Sequence, residues 1–357
     1  MKLLVDSGEF CDALATDIAE AAESVLTQVM SFEGDTAGTF LANLLIRSAC
    51  SDRRLLIDCY SRHIMSCRVL RAPLAALDDS LRNEVHATEA TQRGLRRAGV
   101  QVRFGSPAGR LLHRLPARNH KKSIVIDKRV AYIGGINFTD HNFAWHDLML
   151  RIDDPAAAVF LHEDLERTWN GEPALEWRHF DELSIGTIDG RDNARGFEPV
   201  FDLIASARED VLVQSPFLTF PFTDSLRDAA RRGVRVTVMA PGPATTGTFG
   251  RYIAWESQRS RFRLRRLPGM THMKAMLVDG RSLVLGSSNF DYLSYRRHQE
   301  IVAIVTDPQT IADFNRRVVA TDLARSTCAE PLYQPGGYLR RLWMHATGEA
   351  LARISLL

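Results

Sequence analysis

His120-Lys121-Lys122-Ser123-Ile124-Val125-Ile126-Asp127 and His272-Met273-Lys274-Ala275-Met276-Leu277-Val278-Asp279 carry one pattern, H-x-K-x-x-x-x-D, twice in a single chain. With 11 His, 5 Lys and 26 Asp in 357 residues, composition alone gives about 0.01 such matches. The flanks repeat as well. Ile133-Gly134-Gly135-Ile136-Asn137-Phe138 follows the first copy and Leu285-Gly286-Ser287-Ser288-Asn289-Phe290 the second. His120 to Asn137 and His272 to Asn289 are both 17 residues, and the copies lie 152 residues apart. A period that long marks a duplicated domain rather than a solenoid.

Basic residues are almost all arginine, and two of the 5 lysines stand at the third motif position. A compact ammonium suits one phosphate oxygen better than a planar fork. Read as a strand, His120 to Asp127 puts His120 and Lys122 on one face and Asp127 on the other, and the second copy does the same with His272, Lys274 and Asp279. The two Asp residues therefore pair, cap or fix the strand. Two histidines fit a two-step displacement at phosphorus, one imidazole attacking while the other moves the proton. Lys122, Lys274, Asn137 and Asn289 would hold the non-bridging oxygens. Each imidazole needs its second nitrogen fixed, and Asp147 and Glu300, one in each half, are the candidate partners. Gly134-Gly135 and Gly286-Ser287 would let backbone approach the phosphate. These groups supply the chemistry without a metal or cofactor. His141 and His146 read as polar surface around the site.

The composition is that of a soluble globular protein, 45% apolar and 25% charged, with a net charge of +2. That balance disfavours a nucleic-acid-coated protein. Five cysteines without CxxC spacing read as free thiols in a reducing compartment. Neither a signal peptide nor a membrane-spanning segment is expected. Helical and strand-like segments alternate in both halves: helix from Phe10, strands Val25 to Phe32, Leu55 to Tyr60 and Val100 to Phe104, then helix near Val200 and strands Val211 to Gln214 and Arg235 to Met239. The expected fold is α/β, two duplicated lobes with mixed sheets flanked by helices. The expected boundaries are a lobe over 1–175, a linker over 176–195, a second lobe over 196–328 and an amphipathic tail over 329–357.

HKKSIVID with GGINFTD, and HMKAMLVD with GSSNFD, resemble the phospholipase D superfamily over roughly residues 8–310. Asn119-His120-Lys121-Lys122, Trp145-His146-Asp147, Thr168-Trp169 and Gly286 to Asp291 resemble its bacterial cardiolipin synthase branch, in a short form without N-terminal membrane helices. Leu293 and His298 depart from the family pattern after the second Asn. The resemblance implies two lobes related by a pseudo-two-fold axis around one active site. It assigns His120, Lys122, Asp127, His272, Lys274 and Asp279 to catalysis, Asn137 and Asn289 to phosphate, and Asp147, Glu300, Gly135 and Ser287 to support, with His120 as nucleophile. It implies a phosphatidyltransferase using a phospholipid such as phosphatidylglycerol on the inner face of the membrane, with no nucleic-acid partner. A lipid hydrolase or a nuclease of the same superfamily is the alternative. In the tail, Leu339, Leu342, Trp343, Ala346, Ala350 and Ile354 form one helical stripe beside Arg340 and Arg341. Packing inward on a lobe is the first expectation for that stripe and contact with an anionic membrane the second.

Overall fold

A computed structural model of the chain describes residues 1–65, 68–70, 78–109, 112–329 and 336–355. Cys67 lies outside the described residues. The chain forms two compact units: Met1–Ala144 with Leu148–Ala174, and Trp145–Asp147 with Leu175–Leu357.

The first unit is built on a seven-stranded sheet in the order Lys2–Val5, Leu148–Ile152, Val130–Gly134, Ser123–Ile126, Ser24–Val29, Asp52–Asp58, Gln101–Gly105. The last three pair in parallel and the others antiparallel. Strands covered on both faces read as continuous apolar runs, and alternate residues enter different layers. Val25, Val29, Leu55, Ile57, Ile124, Ile126 and Tyr132 join one core with Phe10, Leu14, Ile18, Leu41 and Leu45. Those last five come from the helices Asp6–Ala19 and Thr36–Arg47. The helix Pro155–Trp169 packs on the same sheet and buries Phe160, Leu161 and Leu165.

The second unit repeats this plan in nine strands: Glu176–Phe180, Leu183–Asp189, Gln299–Val305, Ser282–Gly286, Ala275–Val278, Asp210–Gln214, Arg235–Pro241, Arg263–Leu267, Thr327–Cys328. Asp210–Gln214, Arg235–Pro241 and Arg263–Leu267 are again parallel. Helices Glu198–Ser206 and Phe222–Arg231 bury Val200, Ile204, Phe222 and Leu226 against them. The expected duplicated α/β fold with mixed sheets is what the chain adopts.

Two boundary expectations need correction. Residues 176–195 are not a linker but two strands and a short helix of the second unit. Leu183–Asp189 pairs along its whole length with Gln299–Val305. Its polar residues gave it the look of a loop, yet Leu183 and the whole run from Ile185 to Ile188 are buried. In the tail, Gly337–Ile354 is a helix docked on the second unit. It does not dock through the expected stripe. Met344 and Ala352 are buried, while Leu339, Leu342, Trp343, Ala346, Ala350 and Ile354 are all exposed.

Candidate functional site

In the first unit the regular strand begins only at Ser123. The residues before it are held in place by side chains. Asp58, fully buried at the end of its strand, accepts from the Asn119 amide at 2.6 Å and from Arg118 Nη1 at 2.9 Å. The Asn119 side chain donates to Gln28 Oε1, and Gln28 Nε2 donates to Ser123 Oγ at 2.9 Å. Lys121 is fully buried, with Nζ 2.6 Å from Asp164 Oδ1 and 3.2 Å from Thr168 Oγ1. Residues 119, 121 and 123 thus anchor the segment, and the alternation expected for the motif gives His120 and Lys122 to the opposite side. Both are buried, and Lys122 Nζ donates to the His120 carbonyl at 2.7 Å.

The second unit builds the same frame with different parts. Gln214 Nε2 donates to Thr271 Oγ1 at 3.0 Å and to Asp322 Oδ2 at 2.7 Å. Asp322 matches Asp164, and buried Met273 stands where the first unit has Lys121. The partners of Asp322 are instead His146, whose Nε2 lies 3.1 Å from Oδ2, and Arg325, whose Nη2 lies 2.7 Å from Oδ1. Burial favours the neutral acid, but bonds from His146 and Gln214 and the charge of Arg325 hold Asp322 below the usual carboxylate range. His146 is therefore a framework residue rather than polar surface. Its tripeptide, Trp145–Asp147, belongs to the second unit. The His146 amide donates to Met270 O, and the His272 amide donates to His146 O at 2.7 Å.

That strap delivers Asp147 to His272. The Asp147 carboxylate, 1% exposed, lies 2.7 Å from His272 Nδ1. The acid that follows the first motif thus serves the histidine of the second. An Nδ1–H donated to Asp147 fixes the tautomer with the lone pair on Nε2. The Trp145 ring packs 5.1 Å from the imidazole. Lys274, wholly buried, donates to the His272 carbonyl as Lys122 does to His120. Burial pulls its pKa down to about 8, against the attraction of Asp147, Glu300 and Asp291. Glu300, also buried, accepts from Ser287 Oγ, and His298 Nδ1 lies 3.7 Å from its Oε1.

Asp127 and Asp279 are not placed as catalytic groups. Asp127 accepts from the amides of Ala22, Glu23 and Ser24 at 2.7–2.8 Å, and Asp279 from those of Arg208, Glu209 and Asp210 at 2.8–3.0 Å. Each carboxylate ties the far end of its motif strand to the start of the neighbouring one. Partial burial opposes ionisation, but the three amide bonds outweigh it and lower both pKa values. Both residues have positive φ, 51° and 50°, a conformation that Asn also tolerates. Asp127→Asn and Asp279→Asn are therefore expected to cost about 1–3 kcal/mol each in urea unfolding, with kcat within about twofold of wild type. A collapse of kcat at unchanged stability would return the pair to the catalytic set.

The asparagines differ. Asn137 Oδ1 accepts from the Ser31 amide at 3.1 Å and Nδ2 donates to Asn142 Oδ1 at 3.0 Å. Asn289 is 5% exposed, and its Oδ1 has no hydrogen-bond partner among the described residues. The glycines answer to the sheet rather than to a phosphate. A Cβ at Gly134 would lie 2.4 Å from Leu148 O, and one at Gly286, where φ is 150°, would lie 2.2 Å from Ile301 O. Gly135 and Ser287 follow, their amides donating to those same two carbonyls. Phe32–Asp35 and Ser215–Phe217 follow equivalent strands, Ser24–Val29 and Asp210–Gln214, and bridges from Phe32 to Phe138 and from Leu218 to Phe290 tie the chain there to the asparagine loops.

The frame residues Gln28, Asp164, Gln214 and Asp322 escaped the motif reading. A signal existed: Val25-Leu26-Thr27-Gln28 matches Val211-Leu212-Val213-Gln214, and Asp164-Leu165-Glu166-Arg167 matches Asp322-Leu323-Ala324-Arg325.

A family model described as cardiolipin synthase, PLD-like domain, matches residues 14–169 and 200–320. The chain is 28% identical to cardiolipin synthase A of Pseudomonas putida strain W619, over 91% of this chain and 69% of that protein. It is 24% identical to a cardiolipin synthase of Staphylococcus aureus, over 92% and 68%. In fold it resembles the crystal structure of phosphatidylserine synthase from Haemophilus influenzae, with a TM-score of 0.70 at 14% identity over 99% of this chain and 95% of that one.

Proposed function

Because the chain belongs to the family of cardiolipin synthase-like, phospholipase D-like domains, we propose that it is a phosphatidyltransferase that joins anionic phospholipids through a phosphohistidine. The observation that carries the reading is the buried Asp147–His272 pair with Lys274 beside it, on a motif that the chain holds twice. His120 Nε2 attacks the phosphorus of a phosphatidylglycerol as His272 protonates the departing glycerol oxygen. The P–O bond to glycerol breaks and a P–N bond forms. His272 then takes the proton from the hydroxyl of a second phosphatidylglycerol, whose oxygen displaces His120 and gives cardiolipin. Lys122, Lys274 and Asn289 stabilise the negative charge at phosphorus. His120 is named as nucleophile on the family resemblance.

Water in place of the second lipid turns the same intermediate into phosphatidic acid, which is the hydrolase reading. No described helix is long and apolar enough to cross a membrane, and the proposed place of work is the inner membrane face. Purified protein incubated with phosphatidylglycerol vesicles is expected to give cardiolipin and free glycerol by thin-layer chromatography and mass spectrometry. EDTA is expected to leave the rate unchanged, since imidazole and ammonium groups supply the acid, base and charge. Phosphatidic acid as the sole product would establish the hydrolase. Loss of turnover in EDTA restored by a divalent ion would refute the metal-free route.

A further inference from the structure

The helix Gly337–Ile354 turns Arg341 and Glu349 towards the protein and most of its large apolar side chains towards solvent. On the inner face, Arg341 forks onto Asp224 with both contacts at 2.8 Å and reaches Glu256 at 3.5 Å. Glu349 accepts from the Tyr292 hydroxyl, and Arg297 Nε donates to Ala352 O at 2.7 Å. Met344 packs with Phe220 and Tyr252, and the backbone at Gly337 and Gly348 closes on Trp255 and Tyr292. On the outer face stand Tyr338, Leu339, Leu342, Trp343, Leu351 and Ile354. These are six of the ten large hydrophobic side chains exposed among the described residues, and Leu339 reaches 70% exposure. A soluble protein scatters such residues, and their concentration marks a contact surface.

The charge pattern identifies what covers it. The helix carries three arginines against one acid, Glu349, which accepts from the Tyr292 hydroxyl and from Arg353 Nε at 2.8 Å, while Arg340 borders the apolar arc. Trp343 and Tyr338 are the residue types that settle at a lipid headgroup boundary. The inner face is tied to the substrate loop: Tyr292 lies three residues after Asn289, and its amide donates to Thr219 Oγ1 at 3.0 Å. We propose that the outer face of Gly337–Ile354 seats in the interfacial layer of an anionic bilayer and holds the Asn289 loop at the lipid surface. The proposal rests on the lipid-transferase reading. It adds the element that brings a chain with no described spanning helix to its substrate.

The test uses the full chain and vesicles of phosphatidylglycerol with phosphatidylcholine, or of phosphatidylcholine alone, in a flotation assay. The variant carries Leu339→Gln, Leu342→Gln and Trp343→Gln. It is expected to bind the anionic vesicles about tenfold or more weakly, with the thermal midpoint unchanged. Turnover on dihexanoyl phosphatidylglycerol below its micelle concentration is expected to stay at the wild-type level. Brominated phosphatidylglycerol is expected to quench wild-type fluorescence more than that of Trp343→Phe, a readout that does not depend on the triple variant folding. Undiminished vesicle binding by the triple variant overturns the proposal, as does equal wild-type binding to neutral vesicles. A wild-type dimer that the triple variant dissociates in sedimentation also overturns it, by giving the face to a second copy. A wild type that binds vesicles as expected but turns over no lipid refutes the enzymatic reading and leaves the membrane face standing.

Discussion

His120→Ala and His272→Ala are each expected to lower cardiolipin formation by about 10⁴-fold or more. The two imidazoles do different work in the proposed cycle, so neither can cover for the other. Stability is expected to respond unequally. His272→Ala leaves the Asp147 carboxylate buried without its imidazole, and an orphaned buried acceptor costs on the order of 1–3 kcal/mol. Activity alone therefore does not separate chemistry from folding at His272. Trapping does. Wild type incubated with headgroup-labelled and phosphorus-labelled lipid and quenched in alkaline detergent, where a P–N bond survives, is expected to retain phosphorus label on His120 and no headgroup label. His272→Ala is expected to gain it more slowly and to retain it longer, because both the acid for the leaving glycerol and the base for the acceptor are missing. Label on His272 would exchange the two roles. Turnover within tenfold of wild type in either variant would end the two-histidine scheme. Asp147→Asn is expected to cost up to about 10⁴-fold, because an amide can present Nδ2 to the ring and favour the wrong tautomer.

The sequence made the motifs legible because their chemistry leaves little choice of residue type. Each motif needs one imidazole and one ammonium two residues apart, and both copies kept them. The parallel strands were legible for a similar reason: Leu55-Leu56-Ile57 and Val211-Leu212-Val213 are apolar on consecutive residues, as strands covered on both faces must be. What escaped was whatever depends on contacts distant in sequence. Asp147 pairs with a histidine 125 residues away, and nothing local says which histidine it serves. The ammonium of Lys121 and the imidazole of His146 contact equivalent acids from unrelated chain positions, so the equivalence appears only in three dimensions. Lys121 also shows where the argument from scarce lysine was incomplete, since a third lysine was kept for a buried pair with Asp164. The strand Leu183–Asp189 escaped because polar Thr187 and then Ile188 break the alternation begun by Leu183 and Ile185, and Gly186 between them has no strand preference. That glycine lies under the Trp177 ring, which a Cβ would approach to 2.3 Å.

Lys274 links stability and rate through one proton. Its ammonium is wholly buried, and its pKa falls from the usual 10.5 to about 8 because burial outweighs Asp147, Glu300 and Asp291. The phosphate needs the charged form, so kcat/KM is expected to fall above pH about 8 as the free enzyme loses that proton. Bound phosphate stabilises the cation, so the alkaline limb of kcat is expected at higher pH than that of kcat/KM. Lys274→Arg retains charge but spreads it over a planar fork, and it is expected to lose most of the activity together with this limb. The stability effect has the opposite sense. Between pH 8 and 10.5 the unfolded chain holds the Lys274 proton and the folded chain does not, so stability rises with pH across that window. Below it, the buried cation costs on the order of 3 kcal/mol. Lys274→Met removes the charge at similar volume. Its thermal midpoint relative to wild type is expected to be highest near pH 7 and to decline steadily toward pH 10. A difference that stays flat over that range would show that Lys274 keeps its ordinary affinity for the proton. The alkaline fall in kcat/KM would then have to come from another group.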